Sequence, residues 1–358
     1  LYAGIEHQQT DQVVQCLKLI SRPGSERVIR YAYEFARRNN RRKISVFIKD
    51  NIMKLSDGLF HRVFQEIGEQ YPDIQQDSWI VDIGAARLAD TPEIFDVIVM
   101  PNLYGDILSD VAAQITGSVG LGGSANIGTH CAMFEAIHGS APPLAGLNLA
   151  NPSGLLLSAV MLLVHVNEPD VASRVHNAWL RTIEDGIHTA DIFKEDVSRE
   201  RAGTREFARA VIERLGRLPQ TLRPVNYAEV PPPALVDAVV TPRPRSRKEL
   251  VGVDVFLDWN GFDIEALAAD LKRLEGDALE LALITNRGVK VWPGGAPETF
   301  RTDHWRCRFR AKPPDHPVAH QAIVELLGRL AAAGFDFIKT ENLCNFDGRP
   351  GYSLGQGE

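Results

Sequence analysis

Asn102-Leu103-Tyr104-Gly105-Asp106-Ile107-Leu108-Ser109-Asp110 is the run on which the reading of this chain turns. It follows an apolar stretch at 97–100, so a short strand leads into a helix expected from Asp106. Asp106 and Asp110 are i and i+4 and project from one helical face. Ile107, Val111 and Ile115 share another face, suited to burial. Two like charges about 6 Å apart repel. A hard divalent ion such as magnesium or manganese, held by one or two carboxylates and substrate oxygens, would relieve that repulsion. Spacing alone equally allows Asp106 a favourable place at a helix N-terminus and Asp110 a solvated one.

Working outward, short apolar strands at 44–48, 79–83 and 97–100 alternate with helical patterns at 25–38, 59–69 and near Arg87. Ser25 is the expected cap of the first helix. Further helices are expected at 154–166, 171–185 and 204–215, and the alternation predicts an α/β architecture. Seven prolines between Pro219 and Pro244 read as a semi-rigid linker. Beyond it a second pattern predicts a small α+β domain: strands at 251–257, 279–285, 289–292, 305–310 and 335–339, with helices at 264–274 and 318–333. The expected division is 1–217, a linker at 218–248, and 249–358.

Composition narrows the function classes. The 358 residues are 44% hydrophobic and 24% charged, with net charge −7, which excludes collagen-like and disordered chains. A mildly acidic chain has no global field for a phosphate backbone, so nucleic acid is not the expected partner. The longest apolar run, 155–166, is too short to span a bilayer, so no membrane role is expected. Cys16, Cys131, Cys307 and Cys344 are scattered without a Cys-x-x-Cys pair. They are expected as reduced, buried thiols of a cytoplasmic protein. No signal peptide is visible.

Other candidate groups are weaker alone. Lys49 ends a strand and suits a tuned proton-transfer group or an ordinary surface charge. Asp82, expected at the end of the strand at 79–83, is a third carboxylate or a turn residue. The stretch Phe134 to Pro143 joins small residues to His138, as a ligand-approach loop or a tight loop around a core histidine. Neither a Gly-x-Gly-x-x-Gly nor a Walker loop is present, so the Rossmann and P-loop fingerprints are absent.

Six segments in register carry a resemblance. They are Tyr2-Ala3-Gly4-Ile5-Glu6, Lys49-Asp50-Asn51-Ile52-Met53-Lys54, the run 102–110, Ser124-Ala125-Asn126-Ile127-Gly128, His138-Gly139-Ser140-Ala141-Pro142 and Asn151-Pro152. Their order and spacing over residues 1–215 are similar to the decarboxylating isocitrate/isopropylmalate dehydrogenase family. Val251-Gly252-Val253-Asp254-Val255-Phe256 and Asn345-Phe346-Asp347-Gly348 resemble the C-terminal domain of the larger, Thermus-type isocitrate dehydrogenases. The resemblance implies that family's α/β fold, not Rossmann, with an N-terminal segment ahead of Leu1 that carries the substrate-gripping arginines and the substrate-selecting loop. It also implies an isocitrate dehydrogenase of the tricarboxylic acid cycle, with magnesium or manganese and NAD or NADP as cofactors. Isopropylmalate, homoisocitrate or tartrate as substrate, or a noncatalytic regulatory role, are the alternatives.

By the same resemblance, Asp106 and Asp110 hold the metal and Asp82 joins them from the partner subunit of a homodimer. Lys49, also reaching across, is the proton-transfer residue, and Tyr2 is the acid that protonates the enol. Asn51 would lie near substrate and nicotinamide. His138, Gly139, Ser140, Ala141 and Asn151 would line the adenine end of the dinucleotide, with Asp191 on the same side. Family members usually follow the Ala-Pro of the His-Gly loop with Lys-Tyr, which binds a 2′-phosphate, or Asp-Ile, which binds a ribose diol. Here Pro143-Leu144 does neither. Ala190 and Lys194 stand where NADP-preferring members carry Tyr and Arg. The lost charge-assisted donors favour NAD.

Overall fold

The computed structural model describes residues 4–227, 244–314 and 316–355; Tyr2 and most of the expected linker lie outside them. The chain divides into two compact units, Ile20–Val240, and Leu1–Leu19 together with Thr241–Glu358. The N-terminal segment therefore groups with the second unit, a division that differs from the sequential one at 217 and 249.

The N-terminal segment forms an antiparallel hairpin, β1 (Glu6–Gln8) and β2 (Val14–Cys16). Helix α1 (Arg22–Arg38) follows. Its cap is Ser21, whose hydroxyl accepts from the Gly24 N–H, and not Ser25, which lies inside the helix. Pro23 is tolerated in the first turn because an N–H there has no helical partner.

Next come β3 (Lys43–Ile48), α2 (Ser56–Gly68), β4 (Gln75–Ile80), α3 (Val81–Asp90), β5 (Val97–Val99) and α4 (Asn102–Thr116). The strands form a parallel sheet in the order β4-β3-β5. Alternation along β3 divides the core in two. Ile44, Val46 and Ile48 pack with Ile29, Tyr33, Val63 and Phe64 of α1 and α2. Phe47 packs the other way with Leu88 of α3 and Leu108 of α4. A Cβ on Gly84 would lie 2.7 Å from the Phe47 ring, so only glycine lets α3 approach this closely. Helices cover both faces, as a parallel sheet requires.

Two expectations shift here. Asp82 does not end a strand; β4 stops at Ile80 and Asp82 falls in the first turn of α3, where a carboxylate meets the positive helix end. Helix α4 begins at Asn102, so Asp106 lies in its second turn and not at its N-terminus.

The unit continues with the hairpin β6 (Gly123–Ile127) and β7 (Ala132–Ala136), which the sequence reading took in part for loop. Then follow α5 (Ser153–His165), α6 (Pro169–Glu184), the short parallel pair β8 (Ile187–His188) and β9 (Glu200–Arg201), and α7 (Thr204–Ile212). Among the described residues no helix is long and apolar enough to cross a membrane.

The second unit contains β10 (Lys248–Asp258), α8 (Ile264–Arg273), β11 (Leu279–Asn286), β12 (Val289–Trp292), β13 (His304–Ala311), α9 (His320–Ala332), β14 (Asp336–Phe346) and β15 (Arg349–Pro350). They make an antiparallel sheet ordered β12-β11-β13-β10-β14-β15. Val253, Val255 and Leu257 pack with Trp305, Cys307, Phe309 and with Leu326 and Leu330 of α9. β14 runs seven residues past the expected Lys339 because it pairs along nearly all of β10. Thr10 of the hairpin loop donates to Asp303 of this unit at 2.5 Å. All four cysteines are free, but only Cys307 and Cys344 are buried; Cys16 and Cys131 are exposed, contrary to expectation.

Candidate active site

Sheet register brings the first site residues together. Ile48 of β3 lies opposite Ile80 of β4, so the chains leave the sheet side by side at its carboxyl edge. Lys49 follows one strand and Asp82 the other, and the Lys49 Nζ lies 2.6 Å from Asp82 Oδ1. The hydrogen bond from this ammonium, with its charge, holds the exposed Asp82 carboxyl below the ordinary range. The Lys49 side chain keeps 28% of its exposure, enough for a ligand to reach it. Such carboxyl edges are where open α/β sheets bind ligands.

Beneath the pair stands a residue that the sequence reading missed. Asp57, in the first turn of α2, is fully buried. Its Oδ2 accepts from the Lys49 N–H at 2.8 Å and from the Tyr104 Oη–H at 3.0 Å. One carboxylate thus ties the Lys49 turn to α4. Nothing in the sequence marked it, because an aspartate opening a helix is ordinary.

On α4 the Asp106 and Asp110 carboxylates are exposed, two turns of one helix presenting hard oxygen donors. The burial expected for Ile107, Val111 and Ile115 is not observed: they are 55%, 36% and 40% exposed. Among the described residues, no three His, Cys, Asp or Glu side chains of one chain converge as a metal site. Asp106 and Asp110 fit half of one. Asn51 sits exposed in the turn after Lys49.

The second cluster follows β7. His138, Gly139 and Ser140 are exposed, so His138 is not a core histidine; its Nδ1 lies 2.9 Å from the Gly139 carbonyl. Ala141 adopts φ 43°, a left-handed conformation costly for a residue with a Cβ, and such strain concentrates at ligand-binding turns. These four residues line a cavity of about 480 Å³ with Leu144, Asn148, Ala150, Thr204 and Arg205 among its other walls. That volume suits the adenosine part of a dinucleotide.

Asn151 and Asp191 are brought together, but as a brace. The Asn151 Nδ2 donates to Asp191 Oδ2 at 3.0 Å, and the Ser118 and Thr189 hydroxyls donate to the same carboxylate, each at 2.5 Å. Partial desolvation pushes the Asp191 carboxyl upward, yet these donors together outweigh it and the net shift is downward. Neither Asn151 nor Asp191 is among the residues lining the cavity. Gly120 fits against them; a Cβ there would come within 2.9 Å of both.

A parallel sheet with helices on both faces, a lysine–aspartate pair at its carboxyl edge and an adenosine-sized cavity in the same unit fit a dehydrogenase-class α/β enzyme. The chain belongs to the isocitrate/isopropylmalate dehydrogenase family, whose model matches residues 1–211. Residues 248–358 match the C-terminal domain of bacterial isocitrate dehydrogenases. A Rickettsia bellii protein named isocitrate dehydrogenase [NADP] is 51% identical over 358 residues, which cover 100% of this chain and 74% of that one. A Thermus thermophilus protein of the same name is 43% identical, with 100% and 71% covered. A Thermus thermophilus crystal structure superposes with TM-score 0.90 at 42% identity, covering 100% of this chain and 71% of that one. The preference for NAD drawn from Pro143-Leu144 finds no support in these relatives, whose names specify NADP.

Proposed function

We propose that the intact protein oxidises isocitrate to 2-oxoglutarate and carbon dioxide, passing hydride to NADP⁺ and requiring magnesium or manganese. The observation that carries this reading is the exposed Lys49–Asp82 pair at 2.6 Å on the carboxyl edge of the sheet. In it residues 1–217 carry the chemistry and 249–358 form the appended domain. Lys49, once its ammonium has given up a proton to solvent, takes the proton from the substrate hydroxyl as hydride leaves the same carbon, and becomes an ammonium again. Asp82 holds the amine in place, and Asp57 fixes the backbone on which it swings. After the carboxylate is lost, Tyr2 is the proposed donor of the proton to the enol carbon. Asp106, Asp110 and a partner subunit's copy of Asp82 would hold the ion, which when bound polarises the substrate oxygens. His138, Gly139, Ser140 and Ala141 receive the adenosine, while Asn151 and Asp191 brace the wall behind it.

The exposed apolar stripe Ile107, Val111 and Ile115 beside the carboxylates supports a homodimer with shared sites. Full-length Lys49→Met and Asp106→Asn proteins should each lose at least ~100-fold in kcat. Mixed after subunit exchange, they should recover about a quarter of wild-type activity, since a random mixture yields half mixed dimers with one intact site in two. No recovery despite demonstrated exchange would count against shared sites, and full activity in Lys49→Met would remove the proton-transfer role.

A further inference from the structure

We propose that Arg205 recognises the 2′-phosphate of NADP, supplying the cation that Pro143, Leu144 and Ala190 do not; this rests on the NADP reading above. Arg205 stands in the first turn of α7 and lines the same cavity as His138, Gly139, Ser140, Ala141 and Leu144. Its backbone is pinned to the cavity wall: its N–H donates to Asn148 Oδ1 at 3.0 Å and the Thr204 N–H donates to the Asn148 carbonyl at 3.1 Å. The Thr204 hydroxyl donates to the Ala150 carbonyl at 2.6 Å. The side chain, by contrast, is exposed and its guanidinium makes no hydrogen bond or ion pair to a described residue. A fixed backbone with an uncommitted planar fork is what bidentate phosphate recognition uses.

The other charges nearby are consistent with this assignment. Glu206, on the same rim, accepts from Asn148 Nδ2 at 2.7 Å. That bond, more than the neighbouring Arg209 and Arg205, holds its carboxyl low, so it is an anion already engaged by the wall. Lys194, the cation singled out from the sequence, does not line the cavity. Leu144, also on the lining, offers no polar group to an unphosphorylated ribose diol.

Titration calorimetry on the full-length protein tests this with 2′,5′-ADP and 5′-AMP, which differ only by the 2′-phosphate. Wild type should bind 2′,5′-ADP at least tenfold more tightly than 5′-AMP. Arg205→Gln should reduce that ratio about tenfold or more while leaving 5′-AMP affinity unchanged, and Arg205→Lys should retain part of it. An unchanged ratio in Arg205→Gln, with wild type discriminating, overturns the assignment and leaves the NADP reading intact. Absence of discrimination in wild type overturns both. The kcat/KM ratio for NADP over NAD should move in parallel with the binding ratio.

Discussion

Replacing Asp57 with alanine should both destabilise the unit Ile20–Val240 and loosen the turn that carries Lys49. Asp57 is fully buried and its Oδ2 accepts two hydrogen bonds, at 2.8 Å from the Lys49 N–H and 3.0 Å from Tyr104 Oη. A hydrogen bond to a charged acceptor contributes about 1.5–3 kcal/mol, and a buried donor left without a partner costs about as much. Two such losses amount to roughly 3–6 kcal/mol, before the small cavity left by the carboxylate. For a unit of this size that corresponds to a fall in Tm on the order of 10 °C. Asp57→Asn keeps the volume and one acceptor oxygen, so it should fall between alanine and wild type. Tyr104→Phe removes a single donor and should cost about 1 kcal/mol. Hydrogen exchange at the Lys49 amide reports the local effect, and calorimetry the global one. If Asp57→Ala loses less than ~1 kcal/mol and the Lys49 amide remains protected, the carboxylate is not holding that turn.

Two further outcomes follow from the same kind of accounting. The backbone N–H groups of Leu222, Thr221 and Gln220 donate to Glu184 and hold its carboxyl at about 2. Its folded value lies below the unfolded one, near ~4.3, so its contribution is complete above that pH and is lost as pH falls toward about 2. Exchange at the amides of 220–222 should accelerate over that window in wild type, and at all pH values in Glu184→Gln; equal protection in the two proteins would refute it. In the second unit, Arg308 donates from Nε and Nη2 to the two Asp254 oxygens at 2.8 and 2.9 Å, with Arg308 only 1% exposed. Asp254→Ala should cost about 3–5 kcal/mol in denaturant unfolding by stranding a buried guanidinium, and replacing both residues with leucine should recover much of it.

Much of the α/β order was legible because it rests on local signals. The apolar run of β3 and the helical spacing of α1 and α2 survive any tertiary context, and each element lies where periodicity placed it. What failed was decided by neighbours or by single turns. Ser25 and Ser21 are equivalent as caps until Pro23 is placed in the first turn. The extension of β14 through polar Thr340, Glu341 and Asn342 exists only because β10 lies alongside to pair with it. The hairpin of β6 and β7 carries no Asn-Gly or Asp-Gly signal at its turn, so its strands were invisible as a pair.

The site shows the same boundary between local and assembled information. Lys49, Asp106, Asp110 and His138 could be singled out as candidates because their motifs are contiguous. The Lys49–Asp82 contact was not, since the two residues are 33 positions apart and meet only through the register of Ile48 with Ile80. Asp57 and Arg205 lie outside every motif and acquire meaning from what they face. Periodicity along α4 carried a different ambiguity: it marks Ile107, Val111 and Ile115 as a face that needs covering without saying which surface covers it. Within one chain that face remains 36–55% exposed. Fully burying an aliphatic side chain gains about 1.5–3 kcal/mol, so covering what these three still expose is worth a few kcal/mol to any surface that fits. In the proposed dimer the partner subunit is that surface. The carboxylates of Asp106 and Asp110, one position behind Ile107 and Val111 along the same helix, would then lie at the rim of the covered face, within reach of a ligand group from the second chain.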